Sequence, residues 1–259
     1  MNKIFALAGV VIKELYRRKD FYVLFVLTVV LTVAAGSVNF FKDEKIVFYV
    51  KDLCLLLIWV SALVIAIVTT ARQIPAECES RTIFPLLAKP VSRGQVIAGK
   101  FLGCWLACGV ALAVFYFFFA ILTGTRERIW PWPLYLEAFW LQWLMLAIVI
   151  GLVLLGSIYF AAPSSTTTIS FIVVVGIWAL GGHLNTVALM QAEPVRTILS
   201  VIYFLIPHLE WYDLRDFLVY NSGIAPFGAV LLATLYAAIW TAIFLLLAWI
   251  GFRRKNLTT

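Results

Sequence analysis

The chain has 259 residues, 64% of them apolar and 13% charged, with a mean hydropathy of +1.01. Soluble domains are about 45–50% apolar and about 25% charged, so this composition excludes a water-soluble enzyme and a nucleic-acid-binding domain. The net charge of +7 therefore needs a topological explanation, not a polyanionic partner.

Charged side chains are costly at the centre of a bilayer, so the charge-free intervals locate the spans. Residues 1–20 come before the first of them. Ile4, Ala8, Val11 and Leu15 recur at helical spacing, with Lys3, Lys13, Glu14, Arg17 and Arg18 on the other side. That pattern suits a helix lying in the headgroup plane; a basic flank that only enforces topology is the alternative. Span one is 21–41. Its Val33-Ala34-Ala35 resembles a signal-peptide cleavage site, but about 20 residues precede the apolar run, which favours an uncleaved anchor. A short charged loop, Lys42 to Asp52, leads to span two at 53–71, and residues 72–100 form a polar segment before span three at 101–123. The Trp130-Pro131-Trp132-Pro133 run reads as an interfacial aromatic belt whose prolines stop a helix.

The uncharged stretch 138–192 is too long for one crossing. Pro163 divides it, and Ser164 to Thr168 offer caps, so spans four and five fall at 138–160 and 169–190. Thr197 to Pro207 is apolar but too short to cross, which marks 191–226 as an outer, partly inserted or re-entrant segment. Span six is 227–252. With six spans, residues 1–20, 72–100, 161–168 and 253–259 share a side holding 13 of the 20 Lys and Arg residues. Both termini are thus expected in the cytoplasm of a multi-pass protein. The fold class expected is all-α, one transmembrane domain over 1–259.

Several motifs point to chemistry that their surroundings do not support. Gly94-Gln-Val-Ile-Ala-Gly99-Lys100-Phe101 approaches a phosphate-binding loop, but Phe101 stands where a Mg²⁺-binding hydroxyl is needed and no buried strand precedes it. Cys54, Cys78, Cys104 and Cys108 make no disulfide framework, and no histidine joins Cys104 and Cys108 as a metal ligand. His183, in Gly181-Gly182-His183, and Glu137 are too few for a proton relay, though the two glycines are expected to loosen span five. No bound cofactor, metal or catalytic residue is expected in this chain. Gly99, Gly103, Ala107 and Ala111 repeat at every fourth place, a small-residue stripe for close helix packing within the subunit or at a dimer seam.

The cytoplasmic segment between spans two and three carries the most information. Pro75 suits a first helical turn, and Glu77 and Glu79 favour its positive end. Ile83, Phe84, Leu86 and Leu87 then form an apolar knob, with Lys89 and Pro90 closing the helix and Arg93 at its exit. An exposed greasy face on a short helix reads as a docking surface for a soluble partner; the alternative is a loop packed on the protein's own membrane surface. Glu77-x-x-x-Arg81-Thr-Ile83-x-x-Leu86-Leu87-Ala-Lys89-Pro90-Val-Ser-Arg93, followed by Gly99-Lys100-Phe101, resembles the signature of type 2 ABC-exporter permeases. Ile206-Pro207-His208-Leu209-Glu210 is similar to a Pro-Asn-Leu-Glu-type segment of that family, with His208 in place of Asn.

The resemblance implies a permease subunit of an ABC transporter in a prokaryotic inner membrane, exporting its substrate. It implies an interfacial N-terminal helix, a coupling helix in 72–100 and re-entrant outer helices before span six. It also implies two cytoplasmic ATPase subunits, which would hold ATP and Mg²⁺, and a second permease copy or close relative, surrounded by membrane lipid. Docking would fall on Glu77, Glu79, Arg81, Ile83, Phe84, Leu86, Leu87, Lys89, Pro90 and Arg93. A gradient-driven secondary transporter and a non-transporting scaffold are the competing classes; the first calls for buried ionisable residues and an internal repeat, the second for no ATPase partner.

Overall fold

The computed structural model describes residues 3–17, 22, 26, 29–30, 44–80, 92–127, 130–160, 162–220 and 222–254. Its helices are α1 (Lys3–Arg17), α2 (Glu44–Ala71), α3 (Pro75–Glu79), α4 (Arg93–Glu127), α5 (Trp132–Tyr159), α6 (Pro163–Met190), α7 (Val195–Leu205), α8 (Arg215–Tyr220) and α9 (Phe227–Arg254), with a 3₁₀ turn at Leu209–Tyr212. Among the described residues there are no strands, and α2, α4, α5, α6 and α9 are long and apolar enough to cross a bilayer. The expected first span, 21–41, lies almost wholly outside the described residues.

The helix ends correct four local expectations. α2 begins at Glu44, so most of the expected loop up to Asp52 is helical. The expected division at Pro163 is present: one long helix ends at Tyr159 and Pro163 opens the first turn of α6, which has no use for the N–H that proline lacks. The Ser/Thr run then caps nothing: the hydroxyls of Thr166 and Thr167 donate back to the carbonyls of Ala162 and Pro163 at 3.1 and 2.8 Å. α6 also runs unbroken through Gly181-Gly182-His183, since a glycine inside a helix costs only about 1 kcal/mol relative to alanine. Finally, the helix that starts at Pro75 closes at Ser80, well short of Lys89.

α5 is the centre of the bundle and packs against α2, α4, α6 and α9. Met145, Leu146, Val149, Ile150, Val153 and Leu154 are fully buried along it. Apolar burial contributes little to helix association in lipid, so close packing and interhelical hydrogen bonds must hold the bundle. The α4–α5 seam has both. The Trp105 and Trp143 rings stack at 4.3 Å, and each indole N–H donates to the other residue's carbonyl at 3.0 Å. Farther along, the Tyr116 hydroxyl donates to the Gln142 side chain at 2.8 Å, and Thr123 and Tyr135 share a hydrogen bond. α9 is the opposite case: Leu232, Leu235, Ile239, Leu246 and Ile250 lie exposed along it, as suits a helix facing hydrocarbon.

Candidate functional site

Two junctions organise the bundle, one at each end. At the first, the chain leaves α2 in a turn in which the Gln73 N–H donates to the Thr70 carbonyl at 3.0 Å. α3 follows, with Pro75 in its first turn. Lys100 lies across from it on α4 and is only 3% exposed. An ammonium at such a position must be paired and hydrogen-bonded. Its Nζ donates to the Gln73 carbonyl at 2.8 Å, to Gln73 Oε1 at 3.4 Å and to Glu77 Oε1 at 2.7 Å. Lys100, set aside in the sequence as part of a failed nucleotide motif, is thus the clamp between α3 and α4. The stretch Gly94 to Lys100 is the start of α4, not a loop.

Of the expected docking residues, Glu77 is turned to Lys100 and Glu79 is exposed. Arg93 begins α4 and reaches α9: its guanidinium donates to the carbonyls of Phe252 and Arg253 at 2.5 and 3.1 Å and lies 5.4 Å from the Phe252 ring centroid. Those carbonyls lie in the last turn of α9, so a cation there meets the negative helix end. Arg81, Ile83, Phe84, Leu86, Leu87, Lys89 and Pro90 lie outside the described residues.

The small-residue stripe has an occupant at its first two positions. A Cβ on Gly99 would stand 2.6 Å from Leu7 Cβ, and one on Gly103 would stand 2.6 Å from Val11 Cβ and 3.0 Å from the Ala8 carbonyl. α1 therefore lies directly on α4, with Ala8, Val11 and Leu15 buried. The sequence left open whether this stripe packs within the subunit or between subunits; Gly99 and Gly103 pack within it. Ala111 is buried farther along and Ala107 half-buried.

The second junction is built by the segment after α7. His208 is 4% exposed, with its ring 4.2 Å from Tyr203 and 4.8 Å from Trp211, and parallel to Tyr236 of α9. Its backbone N–H donates to the Tyr236 hydroxyl at 3.1 Å. Burial lowers the His208 pKa, while Glu210, with Oε1 3.5 Å from Nδ1, pulls the other way. The Glu210 carboxylate lies where only glycine fits opposite, against Gly181 of α6. The Tyr212 hydroxyl donates to the Ala233 carbonyl at 2.8 Å. Asp213 and Arg215 form a two-point ion pair, and the guanidinium sits 5.8 Å from the Trp59 ring of α2; the paired Asp213 raises the Arg215 pKa further. The segment thus ties α2, α6 and α9 together. On the same side the Glu137 carboxylate accepts the Ala225 N–H at 3.2 Å, fastening the start of α5 to the turn before α9.

Neither junction is a catalytic constellation. Each is a set of hydrogen bonds and ion pairs that joins otherwise apolar helices. A model of the family described as ABC-2 family transporter protein matches residues 9–257. No curated protein matches the sequence.

Proposed function

This chain belongs to the ABC-2 family of transporter proteins, and on that premise we propose that it is the permease of an ATP-driven exporter, worked from the cytoplasmic side through residues 72–100. Membership makes it a membrane-spanning subunit of an ABC transporter, a class whose ATP hydrolysis resides in an ATPase partner. In our reading two ATPase subunits serve a pair of permease chains in a prokaryotic inner membrane, with both termini of each chain cytoplasmic.

The observation that supports this reading is the joint around Lys100. Among the described residues of 72–100, α3 is clamped to α4 by Lys100, and Arg93 holds α4 to the end of α9. α1 lies against the same turns of α4. Movement of the ATPase partners would therefore tilt α4, α9 and α1 together and open the space between the two permeases toward the outside. The partner's contact would fall on Ile83, Phe84, Leu86 and Leu87 together with Glu77, Glu79 and Arg81.

The test is extraction from native membranes in mild detergent, followed by assay of ATP hydrolysis and co-purifying bands. A stoichiometric soluble ATPase is expected, and Phe84→Asp should remove it while membrane insertion and expression stay unchanged. An ATPase-free preparation, or normal co-purification with Phe84→Asp, would overturn the docking assignment.

A further inference from the structure

A groove of about 410 Å³ runs between the start of α4 and the last turns of α9, lined by Gly94, Ile97, Ala98, Ala242, Leu245 and Trp249. Gly94 lets the Trp249 indole lie close to α4: a Cβ there would stand 3.3 Å from it. The lining is almost wholly apolar and opens on the outer surface of the bundle, where Ala242 and Leu246 are exposed. Along α9 the groove spans residues 242–249, about 10 Å at about 1.5 Å per residue. That is about a third of a hydrocarbon core about 30 Å thick.

One end of the groove is basic. Ala242, Leu246, Trp249 and Arg253 follow one another at three- and four-residue steps, so Arg253 stands on the groove's own face one turn beyond Trp249. Arg254 is exposed beside it, and the Arg93 guanidinium bridges α4 to α9 at the same level. No acidic residue lies within four positions of Arg253 on α9. An apolar slot that opens to lipid and ends in cations is complementary to one kind of molecule: an acyl chain below, an anionic headgroup above.

We propose that this groove is a binding site for an anionic phospholipid of the inner leaflet, one per chain. The acyl chain lies between Ala98 and Ala242 against Trp249, and the phosphate faces Arg253 and Arg254, with the Trp249 indole at the headgroup boundary. The bound lipid bridges α4 and α9 beside the Arg93 contact, so membrane composition acts on the joint described above. The inner-leaflet assignment rests on the orientation proposed above, whereas the site itself rests only on the groove, its rim and the membrane setting.

The test uses the full-length protein in nanodiscs of equal parts phosphatidylglycerol and phosphatidylcholine with matched chains, followed by native mass spectrometry of the lipids retained. Wild type should retain phosphatidylglycerol at least fivefold over phosphatidylcholine. Ala242→Trp, which fills an exposed part of the groove, should abolish the retained lipid. The surface variant Arg253→Gln/Arg254→Gln should keep a lipid but lose the headgroup preference. Equal retention of both lipids by wild type, or an unchanged preference in the double-glutamine variant, would overturn the proposal. So would a change in the number of chains per particle with Ala242→Trp, because the groove would then be covered by a second copy.

Discussion

The Lys100–Glu77 pair should behave asymmetrically when either partner is removed. Lys100 is 3% exposed, whereas the Glu77 side chain keeps 28% of its surface in contact with solvent. In Lys100→Met the unbranched stem is retained and no large cavity forms. What is lost is the donor to the Gln73 carbonyl and to the Glu77 carboxylate, bonds of 2.8 and 2.7 Å. The carboxylate can turn to water, so the loss should be about 1–3 kcal/mol. Glu77→Ala leaves an ammonium at 3% exposure without its ion-pair partner, and that should cost about 3–5 kcal/mol. The double variant removes the stranded charge and should fall well short of the sum, with a coupling energy above about 1 kcal/mol. The assay is reversible denaturant unfolding in one detergent, followed by tryptophan fluorescence. If Glu77→Ala is milder than Lys100→Met, or if the two losses simply add, the clamp is not what holds α3 to α4.

Two further outcomes test other parts of the structure. Gly103→Val places methyl groups where Val11 already lies 2.6 Å from a bare Cβ, so α1 should lift from α4; limited proteolysis should then cut α1 while the other helices remain protected, and an unchanged digest would count against this packing. For His208, burial holds the imidazole below its ordinary value of about 6.5. The folded site takes up a proton less readily than the unfolded chain, so its contribution is present above about pH 6.5 and is lost as the pH falls through that value toward the lower folded pKa. His208→Gln should flatten the stability decline between about pH 6.5 and 5 relative to wild type, and an unchanged slope would show that the His208 ring does not report on the fold.

The cost of burying charge is a property of each segment alone, and so much of this protein could be read before any packing was known. The charge-free intervals mark α4, α5, α6 and α9, and the stripe Ala8, Val11, Leu15 marks the face of α1 that the structure buries. Helix ends were less legible, because they are settled by competition between local options. Thr166 and Thr167 can cap a helix or bond back to it, and Pro163 can end one helix or begin another; the extended backbone at Ala162 decides both. The joints were not legible at all. Lys100 meets Glu77 across 23 positions, Arg93 meets Phe252 across 159, and Glu210 meets Gly181 across α6. Nothing in the spacing of a lysine, an arginine or a glycine names the helix that will lie beside it. Composition determined that this chain forms apolar helices in a membrane; only the tertiary arrangement decided which of them are bolted together, because a buried charge is stabilised by whichever acceptor the packing brings within about 3 Å.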